Sequence, residues 1–299
     1  MKQQFRGTGV ALVTPFKNNA VDYDKLAQII EFVIQGGVDY IVSLGTTGEA
    51  ITLSSEECLE VLRFTVRCNK GRLPIVAGYF GSNYTERLIG KIKAYDFEGI
   101  DAIMSSSPAY SKPTQEGIYR HYMEIAKVSP LPIIIYNVPG RTSSNIAAET
   151  TLRLAHSSDK FVAVKEAAGN MEQAMKIIKD RPDNFLVLSG DDPLTLPLIS
   201  VGGDGAISVI ANAYPQQFSG MVQAGLEGDW ATARHLNFEL LDIHPWLYIE
   251  GNPVGIKAAM EIRNLCSKEV RIPLVSLSDS NYDHLKAVMA KVKDVEVTA

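Results

Sequence analysis

Between residues 8 and 226 the chain repeats one two-step pattern eight times: a short apolar run, then a stretch with apolar residues at helical spacing. The first run is Thr8 to Pro15. Asp22 then precedes Leu26, Ile29, Ile30, Val33 and Ile34, which fall on one helical face, and Gly36-Gly37 closes that helix. Further strands are expected at Tyr40–Leu44, Pro74–Gly78, Asp101–Ser105, Pro132–Asn137, Phe161–Glu166, Phe185–Ser189 and Gly205–Ile210. A helix follows each, and Ser54 with Glu57 three residues on forms a capping box for the second. The runs are apolar throughout rather than alternating, as strands buried on both faces of a parallel sheet require.

Eight such units in about 225 residues match the size of a (β/α)8 TIM barrel. The competing α/β architecture, a doubly wound open sheet, normally carries a glycine-rich fingerprint after its first strand. Here that turn is Thr14-Pro15-Phe16, and the chain has neither GxGxxG nor a Walker motif. The barrel is therefore expected over residues 1–228. After Gly228 the rhythm changes to helices alone: Trp230 to Tyr248, interrupted near Pro245, then Pro253 to Cys266 and Asn281 to Lys293. These predict a small all-helical C-terminal domain, residues 229–299. Assembly, bracing of the active site and simple packing are all open roles for it.

Composition narrows the function. The chain of 299 residues has a net charge of −5 and no basic block, which argues against nucleic acid as a partner. Apolar runs such as Leu131 to Tyr136 are too short to span a bilayer, and no signal-peptide pattern follows Lys2 and Arg6. Cys58, Cys68 and Cys266 fit no zinc spacing, so reduced thiols in a cytoplasmic protein are expected. The five histidines are scattered and form no HExxH pair, so no catalytic metal is expected.

A barrel of this kind places its chemistry at the C-terminal ends of its strands. Lys165 stands near the end of the apolar run Phe161 to Ala167. An isolated buried ammonium is costly, and the usual relief is to hold the amine neutral, ready to attack a carbonyl. On local sequence, a lysine reaching out to solvent is equally acceptable. After the second strand, Gly45-Thr46-Thr47-Gly48-Glu49 offers two hydroxyls and exposed backbone N–H groups for an anionic oxygen, or an ordinary turn. Tyr110 follows the fourth strand. Tyr136 ends the fifth, with Arg141 five residues on supplying a fork suited to a carboxylate. Asp191 and Asp192 read best as N-cap chemistry before Pro193. Gly190 precedes them, and Gly205-Ala206-Ile207-Ser208 allows close approach of backbone to a ligand. Each element is weak alone. Together they suit a Schiff base with a 2-oxo acid: a lysine for the imine, hydroxyls and arginine for carboxylates, tyrosine for protons.

Three motifs in this order, Gly45-Thr46-Thr47-Gly48-Glu49, Tyr136-Asn137-Val138-Pro139-Gly140-Arg141-Thr142 and Val164-Lys165-Glu166-Ala167, resemble the pyruvate-dependent class I aldolases of the dihydrodipicolinate synthase/N-acetylneuraminate lyase family. The resemblance covers essentially the whole chain. Thr46 and Arg141 resemble the synthase branch, which condenses pyruvate with L-aspartate 4-semialdehyde in the diaminopimelate route to lysine. An N-acetylneuraminate lyase or 2-keto-3-deoxy sugar acid aldolase is the alternative. A non-catalytic 2-oxo acid sensor is disfavoured because Thr47, Tyr110 and Tyr136 are all present.

The resemblance implies that Lys165 forms the imine with pyruvate and that no other cofactor is needed. It implies that Thr46 and Thr47 hold the pyruvate carboxylate, and that Thr47, Tyr136 and a neighbouring subunit's copy of Tyr110 relay protons. Arg141 would bind the carboxylate of the semialdehyde, and Gly190 and Ile207 would line the pocket through their backbone. A homotetramer built as a dimer of dimers is implied. Ala109, Ser55, Cys58 and a longer segment at 77–83 depart from lysine-inhibited relatives, so weak or absent lysine feedback is expected.

Overall fold

Helix caps fall where the side chains predict them. Asp22 accepts from the Lys25 N–H, and Ser54 and Glu57 close the reciprocal capping box of the helix Ser55–Asn69. The computed structural model describes residues 4–292. The strands Gly7–Ala11, Tyr40–Ser43, Ile75–Ala77, Ala102–Ser106, Ile133–Asn137, Phe161–Glu166, Leu186–Ser189 and Gly205–Ser208 pair in parallel and close into a barrel, the last against the first. Helices follow them as the apolar periodicity requires, from Tyr23–Gln35 to Pro215–Glu227.

Side chains alternate across each strand, so the barrel has two apolar regions. One fills the interior, with Tyr40, Met104, Ile134, Ala163, Leu188 and Ile207. The other lies between strands and helices. Gly9 makes the interior packing possible, because a Cβ there would stand 2.2 Å from the Tyr40 ring. Among the described residues, no helix is long and apolar enough to cross a membrane.

Several expectations need correction. The loop after the first strand holds a short antiparallel hairpin, Phe16–Lys17 with Ala20–Val21. Its turn residues Asn18 and Asn19 both have positive φ, 53° and 64°, a region asparagine tolerates better than most residues. The interruption expected near Pro245 is present and separates two helices, Trp230–Leu241 and His244–Tyr248. Pro245 sits in the first turn of the second, where its missing N–H leaves no bond unmade, so it helps start a helix. The following helix is Val254–Ile262, shorter than expected because Asn264 turns left-handed at φ 60°. The last is Asp279–Met289. Lys293, the expected end of that helix, and the rest of 293–299 lie outside the described residues.

These later helices pack on the barrel. Trp230–Leu241 lies along Pro215–Glu227, and Val254–Ile262 reaches the turn after the eighth strand. Arg271 forks onto Glu57 of the second barrel helix, with N–O distances of 2.7 and 2.6 Å.

Candidate active site

The fifth and sixth strands set the centre of the site. Their parallel register pairs Tyr136 with Lys165 and Asn137 with Glu166. Alternation then sends the first pair toward the barrel interior and the second pair outward. Lys165 is only 5% exposed, and its Nζ lies 4.5 Å from the centroid of the Tyr136 ring. The local question about Lys165 is thereby answered: it does not reach out to solvent.

The outward pair acts as a clamp beneath the site. Asn137 Nδ2 lies 3.0 Å from both Glu166 carboxylate oxygens. Gln173 Nε2 donates to the same carboxylate at 3.0 Å and the Ala168 N–H at 2.8 Å. Burial pushes the Glu166 carboxyl above its ordinary pKa, while these hydrogen bonds pull the other way. Asn137 Oδ1 in turn accepts from the Ile146 N–H at 2.9 Å. A fully bonded buried network of this kind fixes geometry as much as it stabilises.

Gly190, at the end of the seventh strand, makes room for the lysine. A Cβ at this position would stand 2.6 Å from the Ala167 Cβ and 3.0 Å from Lys165 Cε. The neighbouring acidic pair does not act as expected. Asp192 caps a different segment: its carboxylate accepts from the N–H groups of Val209 and Ile210, at 3.0 and 2.7 Å, after the eighth strand. Asp191 makes no side-chain cap, and burial first, then the charge of Asp192, raises its pKa.

The Gly45–Glu49 turn is held from below and from the C-terminal helices. Thr14 Oγ1 donates to Gly48 O at 2.7 Å. Glu49 has φ 55° and pairs with the fully buried Lys257 at 2.5 Å. The Lys257 amine also donates to Glu269 O at 2.8 Å and sits 4.0 Å from the Phe16 ring centroid. Burial lowers the Lys257 pKa, and Glu49 opposes that shift. Thr47 is buried and accepts from Asn252 Nδ2 at 3.0 Å.

A cavity of about 500 Å³ collects Thr47, Tyr136, Arg141, Lys165, Gly190 and Asp191, with Tyr248 and Asn252 closing it from the C-terminal segment. That volume is in the range of small-molecule sites. A second cavity of about 560 Å³ lies alongside and shares Tyr136 and Arg141; Thr46 lines this one. Two expected residues stand apart. Ile207 is fully buried in the barrel interior and lines neither cavity. Tyr110 is 92% exposed, with φ 65°, and lines neither cavity. Among the described residues, no three His, Cys, Asp or Glu side chains are grouped to hold a metal ion.

Asn252, Tyr248 and the Asn137–Glu166–Gln173 network were not legible as parts of the site. Glu166 sits beside Lys165 in the motif, but nothing local reveals its partners. Asn252 lies in a Gly-Asn-Pro turn that reads only as a loop, 205 residues from the threonine it contacts.

The sequence model of the Dihydrodipicolinate synthetase family matches residues 4–292. The 4-hydroxy-tetrahydrodipicolinate synthase of Flavobacterium psychrophilum is 48% identical over 278 residues, which are 93% of this chain and 94% of the relative. A crystal structure of dihydrodipicolinate synthase from Aquifex aeolicus superposes with a TM-score of 0.92 at 40% identity, covering 96% of this chain and 98% of that one. The chloride-inhibited dihydrodipicolinate synthase of Acinetobacter baumannii, solved with pyruvate, gives a TM-score of 0.92 at 37% identity, with coverage of 96% and 98%. A shared barrel, motifs in one order and near-complete coverage of both chains lead to one conclusion: this chain belongs to the dihydrodipicolinate synthetase family.

Proposed function

We propose that the protein is a 4-hydroxy-tetrahydrodipicolinate synthase, a lyase that condenses pyruvate with L-aspartate 4-semialdehyde on the route through diaminopimelate to lysine. The observation that carries this reading is the buried Lys165 amine beside Tyr136, in a cavity that also holds Thr47 and Arg141. Lys165 Nζ attacks the keto carbon of pyruvate and water leaves, giving the imine. Loss of a methyl proton then gives an enamine. Its terminal carbon attacks the aldehyde carbon of the semialdehyde, forming the new carbon–carbon bond. The amino group of that substrate adds to the imine carbon and displaces Lys165, closing the ring.

Thr46 and Thr47 hold the pyruvate carboxylate in this reading, Tyr136 and Thr47 move protons, and Arg141 takes the carboxylate of the semialdehyde. Gly190 contributes backbone at the wall. Tyr110 acts in the site of a neighbouring subunit, which its exposure and that of Ile51, 96%, support. A homotetramer is the proposed assembly, and the three unpaired cysteines support a cytoplasmic location. Weak or absent inhibition by lysine is proposed because no carboxylate lines the adjoining cavity beside Ala109. The ammonium groups of a cationic amino acid would find no counter-charge there.

The test is borohydride reduction with pyruvate, followed by peptide mapping and a substrate panel. A stable adduct on Lys165, and product with aspartate semialdehyde, are expected. An unmodified Lys165 ends the reading. Cleavage of N-acetylneuraminate or a 2-keto-3-deoxy sugar acid in preference moves the protein to the aldolase branch.

A further inference from the structure

Among the described residues, Thr47 is the one hydroxyl of the Lys165 cavity with a hydrogen bond to the turn between the helices His244–Tyr248 and Val254–Ile262. The side-chain amide of Asn252 donates from Nδ2 to Thr47 Oγ1 at 3.0 Å, and both residues are buried. An amide nitrogen can donate and cannot accept. With Nδ2 turned toward the threonine, the threonine oxygen is the acceptor and its own O–H is left over. The Thr47 side chain has no other hydrogen bond among the described residues, so that proton is available to the cavity it lines with Tyr136 and Lys165.

Packing alone does not account for an asparagine here. Its Oδ1 is buried and without a partner among the described residues, a cost that an apolar residue of similar size would avoid. Its backbone carbonyl lies 3.5 Å from Arg141 Nη2, so the same residue touches two members of the site. A C-terminal segment that barrels of this type do not need for closure thus touches both Thr47 and Arg141 through Asn252.

We propose that Asn252 is a positioning residue that holds Thr47 as an acceptor and thereby directs the Thr47 proton toward the bound 2-oxo acid. This rests on the reading that Thr47 handles pyruvate.

The test compares Asn252→Ala with Asn252→Asp, by turnover with pyruvate and aspartate semialdehyde and by the rate of borohydride-trapped imine. The alanine variant frees the threonine to rotate, and a fall of about tenfold in kcat/KM is expected. The aspartate variant keeps the shape but supplies an acceptor, so the Thr47 O–H turns away from the cavity; a fall of at least about 100-fold is expected. A role in packing alone predicts the reverse order, because the isosteric change is the milder one.

The added charge is separated from the reversed bond by repeating Asn252→Asp in a Thr47→Val background. If Asn252 acts through Thr47, the double variant is no worse than Thr47→Val alone. Losses that multiply, or an aspartate variant milder than alanine, overturn the proposal. Wild-type protein that traps no pyruvate overturns the functional reading itself, which keeps the two failures apart. Thermal melts of both single variants exclude simple unfolding as the cause.

Discussion

Lys165 Nζ lies 4.5 Å from the ring centroid of Tyr136, its direct partner across the fifth and sixth strands. The register that creates this contact is secured on the other face by Asn137 and Glu166. Tyr136→Phe keeps the ring beside the amine and removes only the hydroxyl. Pyruvate trapping on Lys165 should survive, while turnover falls by about 10²- to 10⁴-fold, the usual span for a lost acid–base group. Unchanged turnover would show that the tyrosine packs the lysine and does nothing more.

The Arg141 guanidinium has no carboxylate partner among the described residues; its one side-chain hydrogen bond there is the long one to Asn252 O. Its planar fork suits a substrate carboxylate. Arg141→Ala should raise KM for aspartate semialdehyde by about 10- to 100-fold, matching the roughly 1.5–3 kcal/mol of a charge-assisted hydrogen bond. Imine formation with pyruvate should stay within a few-fold of wild type, and steady-state kinetics with each substrate varied in turn reads both effects.

The fully buried pair of Lys257 and Glu49 ties the Val254–Ile262 helix to the Gly45–Glu49 turn. Breaking it leaves one uncompensated charge in the interior. Lys257→Met should therefore lower unfolding stability by about 3–5 kcal/mol. Adding Glu49→Gln should restore part of the loss, since the orphaned carboxylate disappears. Urea titrations of the three proteins decide the matter, and a double variant no better than the single one contradicts it.

Stability should also fall in mild acid for a nameable reason. Burial lowers the pKa of His121 from 6.5 to about 4, and that of His244 likewise to about 4. Both are neutral in the folded protein at pH 5, while in the unfolded chain they are charged. Unfolding then takes up protons, so the contribution is fully present above pH 6.5 and is lost as pH falls toward 4. Each histidine adds a slope of up to about 1.4 kcal/mol per pH unit in that window. Replacing His121 by Asn should flatten the dependence of the urea midpoint between pH 7 and 5, by a proton uptake that rises from about a quarter at pH 7 toward one near pH 5. An unchanged slope would mean that His121 titrates normally in the fold.

The barrel was legible because its signals are local. Phe161–Glu166 and Gln115–Val128 carry their periods within a single element, and the structure places both with the expected ends. Errors arose where a residue acts at a distance or where two local signals compete. Pro245 marks the helix interruption correctly, though it acts by starting the second helix and not by ending the first. Asp192 carries the right chemistry for a cap, yet the N–H groups it meets belong to the turn after another strand. Asn18 and Asn19 hold a hairpin too short for a strand pattern to register.

By itself the sequence determined the order of strands and helices, their apolar faces, and the rim on which Lys165, Thr47, Tyr136 and Arg141 fall, since these depend on spacing along one chain. Tertiary structure alone decided which of them meet. Barrel closure sets the register that puts Tyr136 against Lys165, and the glycine at 190 gives that lysine its space. It also leaves Tyr110 outside the cavity and brings Asn252 to Thr47 across 205 residues. A hydrogen bond between such distant groups is specified by how the two elements carrying them pack, and no periodicity along the chain encodes it.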